Sequence, residues 1–336
     1  MSQTDVRLDG AAGLRGEREA TPGSAGRRRE RLPVPRADFE SYYGRPVLNE
    51  PTWQAPDIAG YLFLGGLAGA SSTLAAAAEL TGRPHLARAC KAGAVCALGG
   101  SLYALIHDLG RPERFVNMLR VFKVTSPMSV GTWILTGYGP QAGVAAATGL
   151  TGMFPGLGRA ATIGAGLAGP ALATYTAALI CDTAVPVWHE GHREMPFLFA
   201  GSAAAAAGGL GMLAAPVSEA GPARRAALLG AAVECVAAVR MERRLGPLAE
   251  PLKRSRLLRA GEALSLAGAV AGLVAGRLGG RGRLMAMAAG AALLAGSACT
   301  RFGIFRAGME SANDPKYTVQ PQRRRLAKAK AEGDLR

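Results

Sequence analysis

"IAGYLFLGGLAGASSTLAAAAEL", residues 58–80, decides the fold. It carries one charge, at Glu79, and is otherwise apolar, small or hydroxyl-bearing. A helix crossing the hydrocarbon layer needs about 20 mostly apolar residues, and this run has that length. Its neighbours repeat the pattern. The chain is 49% hydrophobic and only 19% charged, with 46 glycines in 336 residues. A soluble globule of this size is nearer about one-quarter charged, with the charges spread along it. Here they cluster, and the stretches between clusters are nearly free of them.

By the same length criterion, further spans fall at 86–106, 128–150, 160–185, 197–215, 225–239, 258–275 and 284–299. The sixth and the last are short for a full crossing. The expected fold is therefore an all-α integral membrane protein, a bundle of about eight transmembrane helices. Residues 1–50 read as a disordered basic arm, 51–310 as the transmembrane domain and 311–336 as a basic cytoplasmic tail. The "GRRRER" run in the arm is not a twin-arginine signal, because the next apolar run begins only at Ile58.

The spans are rich in small residues: "LGGLAGASS", "GAGLAGPALA", "GSAAAAAGGLG". Hydrocarbon gives helices no hydrophobic reason to associate, so close backbone contact must supply the attraction. Gly65 and Gly69 have the spacing for it.

The net charge of +15 lies in the tails and short loops. No basic helix is interleaved with aromatics, so nucleic acid is not the expected partner. An even span count puts both termini on one side. The loops after spans two, four and six, together with the tails, hold more Arg and Lys than the opposite loops. Positive-inside logic makes that side cytoplasmic and the location the cell inner (cytoplasmic) membrane.

The five cysteines, Cys90, Cys96, Cys181, Cys235 and Cys299, form no CxxC pair. Iron–sulfur and zinc sites need several closely spaced thiolates, so no cluster or metal is expected in this chain. Buried packing is their expected role. Haem ligation in a bundle needs histidines on facing helices well inside the bilayer. His85, His107, His189 and His192 all fall in loops or at helix ends, so no haem is expected.

Polar groups at membrane depth are costly and mark candidate sites. Two acidic residues qualify as proton-transfer candidates, Asp182 near the end of span four and Glu234 in span six. Asp182 can equally be an interfacial residue that reaches water. Glu79 and Glu262 read as interfacial.

A second stretch, "HDLGRPERFVNMLRVFKVTSPMS" at 107–129, separates spans two and three. His107 and Asp108 end a helix that the Gly and Pro of "GRP" do not continue. "ERFVNMLRVFK" sets Phe115, Met118, Leu119 and Phe122 at helical spacing, the pattern of an amphipathic helix at the membrane surface or of an ordinary connector.

"YLFLGGLAGASS", this second stretch, "YTAALICDTAVPVWH" and "RFGIFRAGMESANDPKYTVQPQR" together resemble the NrfD/PsrC family. These are the membrane subunits of polysulfide reductase-like complexes, and the resemblance runs from about residue 53 to 323. It implies a quinone- or quinol-reacting subunit, not catalytic alone, that anchors a ferredoxin-like iron–sulfur protein. That protein serves a molybdopterin-containing catalytic subunit. The cofactor implied is menaquinone or ubiquinone. Tyr61 falls where the polysulfide reductase subunit has a quinone-contacting histidine, Asp57 near a polar contact and Tyr175 where that subunit has a contacting tyrosine. A quinone head needs donors and protons, and His107 and Asp108 lie toward helix ends on the same side as these residues. Arg111, Glu113, Arg114, Arg120 and Lys123 are candidates for the partner interface. For the loop residues, structural or interface duty stands beside direct quinone contact. Two other classes remain: a proton channel or transporter, which needs more intramembrane charge and helices broken at midplane, and an anchor without a quinone site.

Overall fold

The computed structural model describes residues 48, 51, 53–109 and 117–331. The basic arm, and the interface candidates Arg111, Glu113 and Arg114, lie outside the described residues. Among the described residues eight helices of 20 residues or more follow one another: α1 Ala55–Leu80, α2 Pro84–Asp108, α3 Pro127–Thr151, α4 Pro155–Cys181, α5 Met195–Ala214, α6 Gly221–Leu245, α7 Arg256–Arg277 and α8 Arg283–Asn313. A further helix, α9, covers Pro315–Ala331. Six of the eight, all but α3 and α6, are both long and apolar enough to cross a membrane. The molecule is an all-α membrane protein, with the two remaining helices long enough to span but more polar.

The start signals are local. Helices α1 to α6 each carry a proline in their first two positions, where its missing N–H would have had no intrahelical partner. Ser255 caps α7 instead, accepting from the Leu258 N–H. Helix α4 lies about one turn earlier than the expected 160–185, and two helix ends run well past expectation. Helix α6 reaches Leu245, and α8 runs on past Cys299 to Asn313. The expected ends stopped at the first charges, but a helix continues through charge when packing covers it or water meets it.

The connector after α2 is described only from residue 117 on, so most of the helical spacing that begins at Glu113 lies outside the described residues. Among the described residues only Asn117 and Met118 are helical, and 119–126 is turn and loop. Helix α3 supplies the reason. Ser129 accepts from the Lys123 N–H and donates to the Val121 carbonyl, both at 3.0 Å. These backbone groups are thus satisfied by α3 and need no helical ladder. Phe122 meets Trp133 edge-on at 5.9 Å.

Consecutive helices pack as antiparallel neighbours. Helix α1 also touches α4, α5 and α8, so it is the hub between α1–α4 and α5–α8. Reciprocal glycine contacts set the seams. A Cβ on Gly69 of α1 would strike the backbone of Gly169 in α4, and one on Gly169 would strike Gly69. Gly201 and Gly230 relate α5 and α6 in the same way. Close approach is what holds helices together in lipid. Gly65, one turn from Gly69, faces Ser101 of α2 instead, so the expected pair serves two different neighbours.

The two ends of the bundle are unlike. One end has only the tight connections 81–83, 152–154, 215–220 and 278–282; the other carries 109–126, 182–194, 246–255 and α9. At this connector end Trp53 stacks on Trp188 at 5.9 Å. Trp188 in turn donates to the Ile304 carbonyl of α8 at 2.9 Å. Lys316 and Tyr317 of α9 both bond Glu250. At the turn end, Lys91, 9% exposed, pairs with Glu79 at 2.5 Å. Of the cysteines, Cys90 and Cys181 are buried while Cys96 is exposed, so packing explains only some of them.

Candidate functional site

Every expected quinone contact lies toward the connector end. Asp57 sits in the first turn of α1 and His107 in the last turn of α2. The antiparallel hairpin brings His107 Nδ1 to 2.9 Å from Asp57 Oδ2. The His107 side chain is 57% exposed and that of Asp57 only 13%, so the pair leads from water inward. Tyr103 stacks on the His107 ring at 5.9 Å and fixes its plane. Asp108 is near enough to feel both Asp57 and His107. One turn deeper in α1, Tyr61 is buried in the apolar core.

Tyr175 lies on a separate surface. It lines a cleft of about 540 Å³ together with Val124 and Thr125 of the connector, Cys181 and Asp182 at the end of α4, and His189 and His192. Asp57, Tyr61, His107 and Asp108 do not line this cleft. The Tyr175 ring lies against Gly131 of α3, where any side chain would collide with it. Its hydroxyl is buried and has no hydrogen-bond partner. Such an orphan costs free energy unless an acceptor arrives, and a ligand carbonyl would be one. Asp182 is exposed as the C-cap of α4. His189 and His192 are exposed beside it, their rings 6.3 Å apart.

Glu234 is different. It is 2% exposed, accepts from Thr300 at 2.7 Å through one oxygen, and leaves the other without a partner. Arg301 of α8 faces it, fully buried, donating to the Phe199 carbonyl at 2.8 Å and lying 3.8 Å over the Phe199 ring. Its Nη1 has no partner. A cavity of about 20 Å³, lined by Glu234, Thr300, Glu242 and Glu262 and otherwise by apolar side chains, lies between the end of α6 and the start of α7.

Sequence reasoning missed Arg301. Ending the last span at Cys299 left it just beyond a helix end rather than within one. The signal was an arginine followed by apolar "FGIF" with no proline before Pro315. Of the interface candidates that are described, Arg120 and Lys123 are exposed on the connector, alternating with exposed Val121, Phe122 and Val124. Outside the spans, Glu194 has its carboxyl held below the usual range, first by the hydrogen bond from Arg244. Lys316 does the same to Glu250. Among the described residues no three His, Cys, Asp or Glu gather where they could hold a metal ion.

A bundle of long apolar helices with its long connectors at one end defines a class, multi-pass helical membrane proteins. Residues 48–144 match the family model described as "Polysulphide reductase, NrfD", which bears out the resemblance to the NrfD/PsrC family. The matched segment contains Asp57, Tyr61, His107 and Asp108 and stops short of Tyr175 and Glu234. No curated protein matches the chain. The family supports, in general terms, a membrane anchor of a redox complex.

Proposed function

We propose that this chain is the quinone- or quinol-reacting membrane subunit of a molybdopterin oxidoreductase complex, exchanging electrons with a ferredoxin-like iron–sulfur subunit. The observation that carries the reading is the buried, partnerless hydroxyl of Tyr175 on an apolar cleft at the connector end. A quinone (menaquinone or ubiquinone) accepts two electrons and two protons when reduced, and offers carbonyl oxygens to a donor. Tyr175 fits that role because a phenol donates to a carbonyl. The cleft walls, Val124, Val130, Ala178 and Cys181, exclude water from the head and suit an apolar tail. The Asp57–His107 pair and Asp108, at the same end but outside this cleft, handle protons on the way to it, with exposed His107 exchanging with water and Asp57 one step further in. Arg120, Lys123 and the exposed apolar residues between them form the described part of the partner face. The cytoplasmic side, by charge bias, is the connector end, and the membrane is the cell inner membrane.

Quinol turnover in the assembled complex tests the reading. Tyr175→Phe and His107→Ala each slow it on the order of tenfold or more while the iron–sulfur subunit stays bound. Unchanged turnover in both variants leaves an anchor without a quinone site.

A second reading, a proton-translocating subunit, is favoured by one observation, the buried carboxylate oxygen of Glu234 beside the cavity of Glu242 and Glu262. Glu234 takes a proton from that cavity and passes it on. In liposomes, Glu234→Gln then abolishes proton movement while quinol turnover persists. If the two fall together, or neither changes, this role is absent.

A further inference from the structure

Between α5 and α6 a groove of about 610 Å³ opens at the connector end. Above it the helices touch backbone to backbone at Gly201 and Gly230. Its wall is Phe197 of α5 and a stripe of α6, with Val233 and Val236 at the front. These three are 64%, 43% and 57% exposed, so the slot faces outward into what the membrane reading makes lipid. Its rim carries three guanidiniums, Arg193, Arg240 and Arg244, and one carboxylate, Glu194. Glu194 is engaged by Arg244, whose Nε approaches it at 2.7 Å and which also bonds the Glu190 carbonyl. Arg193 and Arg240, both exposed, stand over the apolar slot.

We propose that this groove binds one anionic diacyl phospholipid. Its phosphate lies between Arg193 and Arg240 and one acyl chain runs along Phe197, Val233 and Val236. Arg240 and Arg244 occupy the last turns of α6, the level at which a headgroup meets a helix end. Basic pockets between helices on the cytoplasmic side take such headgroups. A quinone head is neutral and would leave the arginines uncompensated. A free anion would leave the slot unfilled. The site is independent of the redox reading and rests only on the chain being a membrane protein.

The test uses the full chain, delipidated in detergent, with dioleoyl phosphatidylglycerol and dioleoyl phosphatidylcholine as probes, read by native mass spectrometry and by thermal shift. Phosphatidylglycerol is retained about tenfold better and raises the melting temperature. Arg193→Gln with Arg240→Gln removes the preference at an unchanged elution volume. Val236→Trp, at an exposed position, fills the slot and lowers phosphatidylglycerol retention without touching the charges, so it carries the test if the double variant misfolds. Equal retention of the two lipids overturns the proposal. So does an equal loss in Arg277→Gln with Arg281→Gln, exposed arginines at the turn end. Displacement of the lipid by inorganic phosphate overturns it too and assigns the rim to a free anion.

Discussion

The two halves of the bundle handle buried polarity in opposite ways. In α1–α4 the deep polar groups are largely neutral hydroxyls that serve packing. Tyr138 donates to the Ala68 carbonyl at 2.8 Å and accepts from Ser72 at 2.7 Å, while Thr73 ties α1 to the Gly166 carbonyl at 3.0 Å. In α5–α8 the depth holds two ionisable groups, Glu234 and Arg301, each with a valence left over. The first half keeps its charges toward its two ends and paired, Asp57 with exposed His107 at one and buried Lys91 with Glu79 at the other. The second holds charge at depth. Buried ions are costly and persist where they are paired or functional, so the halves suit different work: carrier chemistry at a rim, proton storage at depth.

The largest expected effect attacks that contrast directly. Arg301→Met leaves Glu234 facing no cation and costs about 3–5 kcal/mol, read as lost monodisperse protein and a lowered melting temperature. Adding Glu234→Gln restores much of the loss, because both charges are then gone. A single variant that melts like the parent would mean that the pair carries no structural burden and that the two halves do not differ in this way.

A smaller effect probes the seam within the first half. Gly169→Leu pushes a side chain into the α1 backbone and destabilises by about 1–3 kcal/mol. Gly137→Leu on α3, with open space around it, leaves the melting temperature unchanged or raises it slightly. Equal melting of the two variants would remove close approach as the source of α1–α4 adhesion.

The smallest effect is a pH dependence at the second half's rim. The folded-state pKa of Glu194 is depressed by Arg244, so the pair stabilises above the ordinary glutamate value of about 4.3. That stability is lost as pH falls through the lower folded value. Glu194→Gln therefore melts below the parent at neutral pH, by an amount matching about 1 kcal/mol. The gap closes as the solution is acidified below about pH 4. A gap that does not change with pH would show that geometry, rather than charge, joins the start of α5 to the end of α6.

Much of the fold was legible because lipid imposes length and apolarity on any helix that crosses it. The runs at 58–80 and 86–106 needed only counting. The rim pair was half legible. Asp57 and His107 were both singled out, but only the hairpin of α1 and α2 makes them bond partners. The connector was legible only in part: Asn117 and Met118 are helical, while Ser129 and Trp133 of α3 hold 121–123 as loop. Arg301 was lost because a charge looks like the end of a span until packing supplies its partners.

Composition and run length alone settled that this is a multi-pass helical membrane protein with small-residue seams, since those depend on the solvent and on each stretch taken separately. Which glycine meets which, that Tyr175 rests on Gly131 with its hydroxyl unmatched, and that Glu234 and Arg301 are buried near one another were decided only by assembly. Contacts between residues far apart in the chain follow from how eight helices pack, and no single helix records them.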